Sequence, residues 1–118
     1  MINKEKQTPF YAMGRFVALF NAFSGEDVST QLRRVSKIQD ESPQFALLPL
    51  FKKCLDLQLQ KKCPEILEVV DMIQPDDVPE RFSLEQLGQF QLGYFHQQKV
   101  IYDDKPDKEE KLETAEAE

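Results

Sequence analysis

One histidine, two cysteines, four glycines and no tryptophan leave this chain little with which to do chemistry. Catalysis by a nucleophile and a base needs side chains that the fold brings within hydrogen-bond reach. Helix geometry assembles no Ser/His/Asp set around His96, so a structural or interface hydrogen bond is its expected role and no catalytic residue is assigned. Glycine is scarce and forms no phosphate-cradling loop. Cys54 and Cys63 lie nine apart with no histidine near either, which excludes a four-ligand metal site. Asp76 and Asp77 are a single loop pair, more suited to capping or solvation than to holding a cation. No metal or cofactor is therefore expected. No apolar run approaches the roughly 18 residues of a membrane span. No leader segment points to an oxidising compartment, so a soluble, cytoplasmic protein with reduced thiols is expected.

What is present suits one helical domain. A chain of 118 residues buries a core without disulfide staples, which become necessary mainly below roughly 40 residues. The net charge of −6 is unevenly placed. Residues 103–118 hold eight of the 21 acids and three of the 15 bases, a balance of −5. The other residues hold 13 acids and 12 bases, a balance of −1. The acidic end has one leucine and no aromatic residue, so it is expected to be disordered. Residues 1–8 read as a polar lead and 9–102 as the folded part.

Thr8 and Pro9 read as an N-cap and first helical position, and Gly25 as a stop. Between them Met13, Phe16, Leu19, Phe20 and Phe23 share a stripe, with Arg15 pointing away from it. Asp27 or Glu26 starts a second helix, in which Val28, Leu32 and Val35 recur at helical period and Arg33, Arg34 and Lys37 lie opposite. Ser42 and Pro43 start a third, running to about Lys62. Its apolar arc of roughly 200° is wider than a surface helix needs, which marks it as the central helix of a bundle. Pro64 starts a short fourth helix with Ile66, Leu67, Val70 and Ile73 inward. The fifth runs from Leu84 to about Tyr102. The fold class is all-α, a compact bundle of about five helices.

The segment Phe82 to Gln98 is the most distinctive. Ser83 and Gln86 form a capping box, with Phe82 and Leu87 as its staple. Beyond them Leu87, Phe90, Tyr94 and Ile101 make an apolar stripe. Gln91 and Gln98 project into the middle of its arc, where a buried amide without a partner costs about 1–3 kcal/mol. Each is expected to bond a neighbouring helix or to face another subunit. Gly88 lies on the arc, where it would admit another backbone. Gly93 is expected outside it, where packing within the chain gives it no reason.

The basic residues come in pairs: Arg33 and Arg34 with Lys37, Lys52 with Lys53, and Lys61 with Lys62, with Arg15 on the first helix. A solvated face is one reading. A track for a phosphate backbone, built from several weak and salt-sensitive contacts, is the other. The near-zero charge of the folded part leaves both open.

The order of residues adds to this. FSLEQLGQFQLGYFHQQ, with YAMGRFVALFNAF near the start, resembles the C-terminal helical domain of the large subunit of the type I-C CRISPR Cascade complex. The closing motif is matched by Ser83, Leu84, Glu85, Gly88, Phe90, Leu92, Gly93, Tyr94, His96 and Gln97. The opening motif is matched by Tyr11, Gly14 and Arg15. The likeness spans about Phe10 to Gln98, with the middle helices matching as apolar pattern. In that family the domain is also made separately and serves as the small subunit, which a chain of this size resembles. The resemblance implies a non-enzymatic role. The implied partners are the backbone and large subunits, further copies of itself, and crRNA-guided target DNA, whose R-loop strands it helps to hold. Under this resemblance Arg15, which sits in the opening motif and is expected to point outward, is the first nucleic-acid contact, and Arg33, Arg34, Lys37, Lys52 and Lys53 follow as basic residues that no motif match carries. The expected subunit interface joins Gln91, Gly93 and Gln98, which the wheel singles out, to His96 and Gln97 of the closing motif, and the resemblance offers a reason for the pattern. A stand-alone helical adaptor that binds only protein is the alternative. The acidic tail has no counterpart in this comparison.

Overall fold

The computed structural model describes residues 8–103. The expected polar lead, apart from Thr8, and the expected acidic tail, apart from Asp103, lie outside them. Six α-helices follow in order: α1 Pro9–Phe23, α2 Val28–Asp40, α3 Pro43–Asp56, α4 Leu59–Lys62, α5 Glu65–Val70 and α6 Leu84–Asp103. A 3-10 turn at Pro75–Asp77 precedes α6. No strand occurs among the described residues, so the all-α class holds. No helix is long and apolar enough to cross a membrane among the described residues.

The long helices begin where their caps stand. Thr8 Oγ1 accepts from the Tyr11 amide at 3.2 Å, Asp27 Oδ1 from Thr30 at 2.8 Å, and Ser42 Oγ from Phe45 at 3.3 Å. Ser83 and Gln86 exchange backbone-to-side-chain bonds of 2.9 and 3.2 Å, a complete capping box. Gly25, at φ +80, supplies the left-handed residue that ends α1. The expected third helix is divided. Gln58 also takes a left-handed backbone, φ 56, and breaks the run into α3 and α4. Asp103, assigned to the tail by composition, is the last residue of α6.

The central helix is α1, not α3. Every residue from Tyr11 to Asn21 is buried. α6 and α5 pack along it, and α4 touches it. Leu55 and Leu57 are exposed, so the wide apolar arc expected of the third helix is only partly covered. Phe16 joins the layers, its ring 4.9 Å from that of Phe51 and 6.1 Å from that of Phe20. Phe82 closes one end of the core against Phe10 and Phe90, with ring centroids 6.3 and 5.3 Å apart. Ile66, Val69 and Ile73 of the α5 region point inward as expected of Ile66 and Ile73, whereas Leu67 is largely exposed.

Two glycines set the α1–α6 crossing. A Cβ on Gly93 would strike the Tyr11 carbonyl oxygen, and one on Gly14 would strike the Phe90 carbonyl oxygen and come within 2.6 Å of the Tyr94 amide nitrogen. The two backbones therefore touch where neither helix carries a side chain. Gly93 faces inward, contrary to the wheel, because α1 is drawn onto it. Gly88, expected at a close backbone approach, has nothing within 4 Å of a Cβ position. The buried line of α6 is Phe90, Gly93 and Gln97.

Gly93→Ala should destabilise the chain by at least about 2 kcal/mol, because overpacking outweighs alanine's better helix propensity. Gly88→Ala should be neutral or stabilising by up to about 1 kcal/mol. Denaturant unfolding followed by circular dichroism reads both.

Candidate nucleic-acid interface

The residues of the opening and closing motifs meet each other across the α1–α6 crossing. Tyr11 Oη and His96 Nδ1 are hydrogen-bonded at 2.6 Å. Arg15 Nε donates to Gln97 Oε1 at 2.8 Å, and Arg15 Nη2 pairs with Glu65 Oε2 at 2.7 Å. Asn21 and Gln98 both donate to the Tyr94 hydroxyl, at 3.4 and 3.3 Å. The Thr8 hydroxyl donates to Gln89 Oε1. The motifs are thus one polar seam laid along a glycine contact.

This placement corrects the reading of Arg15. It is 3% exposed and does not point outward. An arginine on the fully packed helix cannot reach water, and its guanidinium is held by Gln97 and Glu65. Gln97 is itself fully buried, and its Nε2 has no hydrogen-bond partner among the described residues. Gly93 and Gln97 therefore lie inside the chain rather than on a surface offered to a neighbour. His96 and Gln98 are half-buried and bonded within the chain. Only Gln91 of the five expected interface residues is exposed, and it donates to Gln39 Oε1 of α2 at 2.8 Å. The wheel placed Gln91 and Gln98 mid-arc because it could not locate the glycine contact that rotates the helix.

Arg34 also turns inward. Its guanidinium lies 4.6 Å above the Phe20 ring, donates to Asn21 Oδ1 at 2.7 Å and pairs with Glu26 at 2.7 Å. Val28 and Leu32, expected beneath α2, are exposed instead, while Val35 and Ile38 are buried. Lys53 reaches the same Glu26 carboxylate at 3.2 Å. Partial burial pushes the Glu26 carboxyl up, but hydrogen bonds from Arg34, Ser24 and Lys53 outweigh it and leave the group below its ordinary value of 4.5. Lys52 is open to solvent and pairs with Asp56 one turn on, at 3.0 Å. Burial raises both cysteine thiols, with Cys63 adding to the effect on Cys54, and both are free thiols inside the core.

Arg33 and Lys37 remain, one helical turn apart and exposed. They line an open groove of about 340 Å³ between α2 and α3, together with Thr30, Phe45 and Pro49. Phe45 is 77% exposed. A second hollow continues past Phe45 and Lys37 to Glu41, where an acid ends the basic stretch. Paired cations beside an open aromatic face are the elements of single-strand binding: phosphates on the bases, a base on the ring. Phe45 escaped the sequence reading because it falls roughly 200° round the helix from Leu47, outside the apolar arc. Its signal was that misplacement: a large aromatic residue in the first turn of a helix, off the stripe.

No family model, no curated protein and no solved structure matches this chain.

Arg15→Ala should cost about 3 kcal/mol of stability, since it leaves the buried Gln97 oxygen without its donor and removes a packed side chain. Chemical unfolding reads it. The Glu26 cluster should show in the pH dependence. A carboxyl lowered by folding contributes stability that is present above its ordinary value of 4.5 and is lost as pH falls through the lowered value. The stability advantage of wild type over Glu26→Gln should therefore vanish in acid, as read by thermal melts across pH.

Proposed function

We propose that this chain is a non-enzymatic small subunit of a type I-C CRISPR Cascade complex, acting in the cytoplasm among the backbone and large subunits and contacting a DNA strand of the R-loop. The observation that carries the reading is the pairing of the two motif stretches. Tyr11 with His96, Arg15 with Gln97, and the Gly14 and Gly93 contacts join them residue by residue. The residues behind the resemblance are thus those on which the bundle depends. Under this reading their role is architectural, and the strand contact falls to Arg33, Lys37 and Phe45, with Lys52 at the margin. Guide pairing supplies sequence specificity in such complexes, and backbone contacts tip a nearly balanced strand exchange. Two cations and one ring per subunit suit that task.

A second reading is a helical adaptor that binds only protein. It is favoured by Glu26, whose one carboxylate engages both Arg34 and Lys53 and so withdraws them from the basic set.

Co-purification with type I-C subunits and crRNA tests membership. A complex that forms and binds target DNA equally well without this chain would sink the proposal. Within the complex, Arg33→Ala with Lys37→Ala should lower the slope of log affinity against log salt by about 1–1.5, as loss of two phosphate contacts to a single strand requires. Phe45→Ala should cost about 1–3 kcal/mol of binding through lost stacking. Unchanged affinity and slope in both variants favour the adaptor.

A further inference from the structure

α6 carries two seams of residues spaced alternately three and four apart. One runs through Phe90, Tyr94, Gln97 and Ile101 and packs toward α1 and the core. The other runs through Glu85, Gly88, Leu92, Phe95, Lys99 and Tyr102. At about 100° per residue, this second seam lies on the opposite side of the helix. Leu92 and Phe95 are 52% and 55% exposed, and Leu84 beside them is 86% exposed. Space outside Gly88 is open. Three-four spacing of apolar residues is the pattern by which one helix pairs with another.

The charges on this face choose the occupant. Glu85 and Lys99 stand seven residues either side of Leu92, both exposed. Neither forms an ion pair among the described residues. A parallel second copy would set Glu85 on Glu85 and Lys99 on Lys99. An antiparallel copy sets each glutamate on the other copy's lysine, and two-fold symmetry makes the pair twice. Exposed Arg81 just ahead of the helix and exposed Asp103 at its end repeat the same opposition about the same centre.

We propose that this face of α6 binds a second copy of the chain, antiparallel about a two-fold axis near Leu92. Leu92 and Phe95 of both copies form the apolar centre, and the open side of Gly88 gives room for the other copy's aromatic ring. Glu85 and Lys99 fix the direction. The inference stands on α6 alone and holds or fails independently of the DNA contact.

Sedimentation equilibrium of the full chain at low salt tests it. Wild type should dimerise with rising concentration, and Phe95→Ser should stay monomeric while keeping its helical circular dichroism. Glu85→Lys or Lys99→Glu alone should weaken dimerisation about tenfold, because two attractions become two repulsions. The two changes together should restore it, since the swapped charges are again complementary. A wild-type chain that is monomeric throughout overturns the proposal. So does a dimer indifferent to either single change, or a double variant as weak as the singles.

Discussion

Two helices reach backbone contact only where neither carries a side chain at the crossing. α1 and α6 meet in this way at Gly14 and Gly93, and the carbonyls of Tyr11 and Phe90 fill the space that Cβ atoms would take. The rest of the molecule is arranged around that contact. It turns Phe90 and Gln97 of α6 inward, and it places Tyr11 against His96 and Arg15 against Gln97. With α6 drawn onto one side and α5 packed on another, α1 becomes the buried axis. Polar groups on such an axis must be satisfied from neighbouring helices, which accounts for the hydrogen bonds along the seam.

The same packing sorts the cations. Arg15 and Arg34 share a residue type with Arg33 but not a surroundings. One is sealed by the glycine crossing, and the other is drawn over Phe20 by Glu26 and Asn21. Arg33 and Lys37 stay open to an outside anion, on a short stretch of α2 beside an exposed ring on α3. The charges that a sequence offers and the charges that a surface offers are therefore different sets. Guanidiniums are the ones most readily taken inside, because a planar, weakly hydrated cation with five donors can be satisfied there.

α6 is used on both sides. Its inner seam holds the bundle, and its outer seam leaves Leu92 and Phe95 in water between charges of opposite sign. An exposed apolar row costs solubility unless something covers it. The groove between α2 and α3 and the exposed seam of α6 lie on separate elements, so whatever occupies one leaves the other open.

The helical class, the caps at Thr8, Asp27, Ser42 and Ser83, and the span of α6 were legible in the sequence, because capping and periodicity are local. The break at Gln58 was not, since a left-handed glutamine leaves no compositional mark. The central role of α1, the inward faces of Gly93 and Gln97 and the burial of Arg15 were hidden for one reason. A helical wheel ranks faces by hydropathy, and glycine, which has almost none, decides how closely and at what rotation two helices meet. Arg33 and Lys37 could be read as exposed cations, whereas Phe45 became part of the site only when α3 docked on α2 with its ring left outside. The sequence by itself determined which segments are helical and where they start. Only the tertiary structure decided which face each helix buries, because that follows from backbone contact between residues far apart in the chain.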